Sequence, residues 1–101
     1  MKKLFIAAFM IVSSFGTNVM ADGHAIKMGI ILGFTGPIES LTPAMAGSAE
    51  LAFKEASDSG SLLGGKKIEV IRADSTCVDS AAATAAAEGV ISQGVAAIMG
   101  A

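Results

Sequence analysis

Tryptophan and tyrosine are absent from this 101-residue chain, cysteine and histidine occur once each, and proline occurs twice. One Cys cannot staple a disulfide-built miniprotein, and the single His24 has no H-x-x-x-H partner with which to hold a metal. Charge is scarce as well: 16% of residues are charged and 52% are hydrophobic, the reverse of a disordered composition. Seven Lys and Arg against nine Asp and Glu give a formal net charge of -2. The basic residues are scattered, so no stripe is available for a phosphate backbone, and nucleic-acid binding is excluded as a reading. The length allows at most one ordinary domain.

What is present begins with Lys2 and Lys3 ahead of an unbroken apolar stretch, Leu4 to Val12. Its nine residues fit the hydrophobic region of a secretory signal, about 7 to 15 residues, and fall short of the roughly 20 that span a bilayer. Val19-Met20-Ala21 places small or modest side chains at the third and first positions before a cut. Residues 1–21 are therefore predicted to be a signal peptide cleaved after Ala21. No Cys follows the apolar stretch to carry a lipid at the new N-terminus, so the product is expected to be exported and soluble. Without Lys2 and Lys3 the remainder holds five basic against nine acidic residues.

Residues 22–101 alternate strand and helix signals. Ile26 to Phe34 (IKMGIILGF) is almost wholly apolar, rich in Ile, and broken at Thr35-Gly36-Pro37, as expected of a strand buried on both faces. Thr42-Pro43 offers an N-cap followed by Pro at the first helical position. The helix that starts there is expected to bury Met45, Ala49, Ala52, Phe53 and Ala56, to pair Glu50 with Lys54, and to stop at Gly60. A turn over Leu62 to Gly65 leads to a second strand, Lys67 to Asp74. Asp79 caps a second helix running to about Ser92, nearly all Ala from 81 to 87 and closed by Gly94, and Val95 to Met99 makes a third strand. The β-α-β-α-β order predicts an α/β fold with an open parallel sheet. Such a sheet binds ligands beyond the carboxyl ends of its strands, here at loops 35–42 and 75–79. The exposed edges left by three strands suggest the first part of a longer protein, the other reading being a small domain completed by oligomerisation.

Local motifs add no chemistry. Gly60 to Lys66 fits G-x-x-x-x-G-K only superficially: Lys67 stands where Ser or Thr should reach a magnesium ion, and the segment runs from helix into strand instead of strand into helix. Gly29, Gly33 and Gly36 make no dinucleotide fingerprint. Asp74, Asp79 and Glu88 have no nucleophile or base beside them, so no catalytic set, metal or cofactor is indicated. Cys77, in a chain read as exported, is a reactive thiol, an intermolecular bridge, half of a pair, or a buried unpaired thiol.

Three ordered segments, IKMGIILGFTGPIESLTPAMAGSAELAFKEA, GSLLGGKKIEVIRADSTC and GVAAIMG, together resemble the N-terminal lobe of periplasmic binding proteins of the leucine/isoleucine/valine-binding family, which serve ABC importers. The family's Asn-Gly-Gly after the first helix stands here as Asp58-Ser59-Gly60-Ser61, and its Cys-Asp-Pro as Cys77-Val78-Asp79-Ser80. The resemblance implies a first part of a two-lobed protein that closes on a solute without chemistry, an amino acid or amide, in partnership with a membrane permease. It implies that Leu41, at a position often aromatic in the family, forms a solute-facing wall with Ser40 and Thr42. It also implies a disulfide from Cys77 to a Cys a few residues past Ala101. A ligand-sensing domain coupled to a signalling partner is the alternative, and an exported α/β enzyme ranks last because the strand-end loops lack a catalytic set.

Overall fold

The structure, a computed structural model, describes residues 25–100. The predicted signal peptide, residues 1–21, and His24 lie outside the described residues.

The chain runs β1 (Ile26–Leu32), α1 (Thr42–Asp58), a short 3-10 turn (Leu62–Gly65), β2 (Ile68–Asp74), α2 (Ser80–Ser92) and β3 (Ala97–Gly100). The expected α/β alternation is thus observed, with β1 ending two residues early, β2 starting one residue late, and β3 starting two residues late and running one residue further, to Gly100. All pairings are parallel and the strand order is β2-β1-β3, with Leu32 opposite Asp74 and Ile31 opposite Gly100. As the central strand, β1 buries Ile30, Ile31 and Leu32, which is why its sequence shows a continuous apolar run and no alternation.

The two helices cover opposite faces. On one face Ala46 of α1 packs with Ile30 and Leu32, joined by Ala49, Phe53, Val70 and Met99. On the other, α2 comes close to the backbone of β1: a Cβ at Gly29 would lie 3.4 Å from Val90 Cγ2 and 3.2 Å from Ile98 Cγ1. The Ala-rich sequence of α2 permits this approach.

Helix ends show which local signals governed. Asp79 caps α2 as expected, its Oδ1 accepting from Ala81 N at 2.8 Å and Ala82 N at 3.3 Å. The far end closes at Gly94, φ +79°, where Lys27 Nζ also donates to Gln93 O at 3.1 Å. In α1 the expected cap is corrected: Leu41 occupies the N-cap, and Thr42 is the first helical residue, with its hydroxyl turned inward to donate to Gly33 O at 3.0 Å. A tertiary acceptor, Gly33 O, outcompeted the local amides that a capping hydroxyl would have accepted from. The buried stripe is Thr42, Ala46 and Ser57, with Ala49, Phe53 and Ala56 half-buried, while Met45 and Ala52 face solvent against expectation. The Glu50–Lys54 pair is not formed either. Half-buried Glu50 instead receives Nε and Nη2 of Arg72 on β2 at 2.5 and 2.8 Å, and Lys54 pairs with Asp58. Packing of α1 over β2 brings a guanidinium within reach whose planar fork matches the carboxylate better than an ammonium does. Ser57 Oγ accepts from Ile68 N at 3.2 Å and ties the end of α1 to the start of β2.

Candidate functional site

The direction of travel across the sheet reverses at β1, because β2 lies on one side of it and β3 on the other. In open α/β sheets that reversal leaves a crevice beyond the carboxyl ends of the strands, where ligands bind. Two segments stand at that edge here: Gly33–Leu41, between β1 and α1, and Ser75–Asp79, between β2 and α2.

The first segment is a ladder of tight turns. Glu39 N donates to Gly36 O at 3.2 Å, Leu41 N to Ile38 O at 2.9 Å and Thr42 N to Ile38 O at 3.3 Å. Ser40 and Leu41 are exposed at its outer end, Leu41 at 60% of its surface, whereas Thr42 is fully buried. Of the three residues expected on a wall, two face outward and Thr42 lies beneath them as an anchor.

The second segment is strained. Thr76 and Cys77 adopt left-handed backbone angles, φ +58° and +61°, and a β-branched residue there is a true outlier. Each such residue costs on the order of 1–3 kcal/mol and persists only where neighbours hold it. Thr76 Oγ1 is also buried, without a hydrogen-bond partner among the described residues. Cys77 carries an exposed thiol, unpaired among the described residues, 3.8 Å from Ser75 Oγ.

Asp74, the last residue of β2, holds the two segments together. Its Oδ1 accepts from Phe34 N at 2.9 Å, Thr35 N at 3.3 Å and Thr76 N at 2.8 Å, and its Oδ2 accepts from Thr35 Oγ1 at 2.5 Å. The Thr35 hydroxyl first, then the Thr76 amide, draw its carboxyl below the usual aspartate value. Steric fit completes the join: a Cβ at Gly33 would meet Cys77 Sγ at 2.7 Å, and one at Gly36 would meet Thr76 O at 2.7 Å. Arg72 sits over the Phe34 ring at 5.4 Å while gripping Glu50, which also steadies the start of the loop. Sequence reasoning set Asp74 aside as an acid without a catalytic partner. The available signal was its place between an apolar strand and Ser75-Thr76, where Asp commonly bonds the amide two residues on.

An open cavity of about 470 Å³ lies between the second segment and the start of α2, lined by Ser75, Cys77, Val78, Asp79, Ser80 and Ala83. Ser40, Leu41 and Thr42 do not line it. The Asp79 carboxylate already occupies the amides at the start of α2, so that helix end is not offering them to an anion. Among the described residues no group of three His, Cys, Asp or Glu is placed to hold a metal, and no helix is long and apolar enough to cross a membrane.

No curated protein matches the chain. A family model described as periplasmic binding protein matches residues 25–101, which include every described residue. With the parallel β2-β1-β3 sheet and its helices on both faces, that match assigns the fold of an N-terminal lobe. The chain belongs to the periplasmic binding protein family, a family of ligand-binding proteins.

Proposed function

We propose that the protein is the exported solute-binding component of an ABC importer, taking branched-chain amino acids or related small amides and delivering them to a membrane permease. The observation that carries this reading is the rigidly held loop Gly33–Leu41 at the reversal of strand order, which presents an aliphatic side chain and a hydroxyl, Leu41 and Ser40, at the edge where such sheets take ligands. In the reading, Leu41 and Ser40 line one wall of the solute cleft and buried Thr42 secures it from below. A second lobe supplies the opposing wall, and the solute stabilises the closed form by touching both.

Export follows from residues 1–21 acting as a cleaved signal, which places the mature protein in the periplasm. Cys77 is assigned to a disulfide with a Cys soon after Ala101.

The test is calorimetric titration of the full-length protein with L-leucine, L-isoleucine, L-valine and acetamide, alongside thermal melts. Saturable heat and a raised melting temperature with at least one solute are expected, with weaker binding in Leu41→Asp. No heat and no thermal shift with any of the four would refute the reading.

A further inference from the structure

We propose that Asp74 is the positioning residue of the solute-facing wall: its carboxylate welds the loop after β1 to the loop after β2 and so fixes where Ser40 and Leu41 stand. The inference rests on the solute-binding reading above and deepens it.

The geometry carries it. Three backbone amides, of Phe34, Thr35 and Thr76, and one hydroxyl, of Thr35, converge on a single side chain, across 40 residues of sequence for Phe34. The wall loop is pinned at both of its ends. Asp74 holds residues 34 and 35, while buried Thr42 holds the other end through Gly33 O. The turn ladder from Gly36 to Thr42 spans the two pins, and Gly36 lies against Thr76 O too closely for any Cβ. The left-handed pair Thr76–Cys77 is kept in place by the same carboxylate, which accepts from the Thr76 amide at 2.8 Å. Loss of Asp74 removes the side-chain tie from that strained turn and from the start of the wall loop together, leaving the amides of Phe34 and Ser75 on Leu32 O as the remaining backbone tie. Asp74 itself need not touch the solute. It acts through the loop, as charge-assisted bonds to several amides make a firm and directional hold.

The experiment uses the full-length protein and the variants Asp74→Ala, Asp74→Asn and Thr35→Val. Each is titrated with L-leucine, L-isoleucine, L-valine and acetamide, and amide hydrogen exchange is followed residue by residue. Asp74→Ala is expected to speed exchange at Phe34, Thr35 and Thr76 while β1 amides keep their protection, and to weaken binding by about tenfold or more. Asp74→Asn retains an oxygen that accepts from the three amides and is expected to restore most of the affinity. Thr35→Val removes one hydroxyl from an exposed side chain, so it tests the tie even if Asp74→Ala does not fold, and a smaller loss in the same direction is expected.

Unchanged affinity, or unchanged exchange at the three amides, in both Asp74→Ala and Thr35→Val overturns the proposal. So does an Asp74→Ala protein whose exchange rises everywhere at once, since that marks general stability and not positioning. A wild-type protein silent to all four solutes overturns the solute-binding reading instead, and the exchange pattern then decides the tie between the loops alone.

Discussion

Gly36→Ala is the sharpest test of how the two loops interlock. The residue has φ +98°, outside the range L-residues adopt easily, and an added Cβ would stand 2.7 Å from Thr76 O, a backbone atom that cannot rotate away. The conformational part costs roughly 1–2 kcal/mol and the overpacking part about 1–3 kcal/mol, so the loss comes to about 2–5 kcal/mol. An internal control lies on the helix that follows the loop. Gly47 sits on the exposed side of α1 with nothing within 4 Å of its added Cβ, so Gly47→Ala is expected to gain about 0.5–1 kcal/mol from helix propensity alone. Urea unfolding of the full-length protein reads both. With slopes of about 1–3 kcal/mol per molar, Gly36→Ala moves the midpoint down by about a molar or more and Gly47→Ala moves it slightly up. If the two substitutions shift the midpoint in the same direction, or Gly36→Ala leaves it in place, the packing of the first loop on Thr76 is not as described.

Two further outcomes follow from single side chains. Asp79→Ala removes the cap of α2 and is expected to cost about 1 kcal/mol in the same urea assay, with Asp79→Asn close to wild type; equal stability of all three would show that the Ala-rich helix needs no cap. Asp74 ionises below its ordinary value of 3.8, so its contribution is fully present above that value and is lost as pH falls through the lower folded value. Acid unfolding of Asp74→Asn is therefore expected to be shallower than that of wild type over this range, though Glu50 and Asp58, also held low by their Arg72 and Lys54 partners, keep part of the slope. Superimposable acid limbs would remove Asp74 from the account.

Short-range chemistry was legible in the residues. The apolar run of β1, the Asp79 cap, the alanines of α2 and the closing Gly94 each act within a few residues of themselves, and the structure places all four as expected. The α/β order and the resemblance to periplasmic binding proteins came from the same source, and the family match agrees with them. Misplaced features were those in which a distant partner won. Thr42 gave up its cap for Gly33 O, Glu50 left Lys54 for Arg72, and Met45 and Ala52 lost the core face to Thr42, Ala46 and Ser57. The rotation of α1 about its axis depends on which side of it meets the sheet, and helical spacing specifies a stripe without naming the one that wins. The wall of the candidate site belongs to the same class. Ser40, Leu41 and Thr42 were expected on a wall from the family resemblance alone, and local signals pointed Asp74 only to the amide two residues on, not to the loop after β1. Asp74 meets Phe34 and Thr35 only because parallel pairing sets Leu32 beside Asp74, so that segments 40 residues apart leave the sheet at one point.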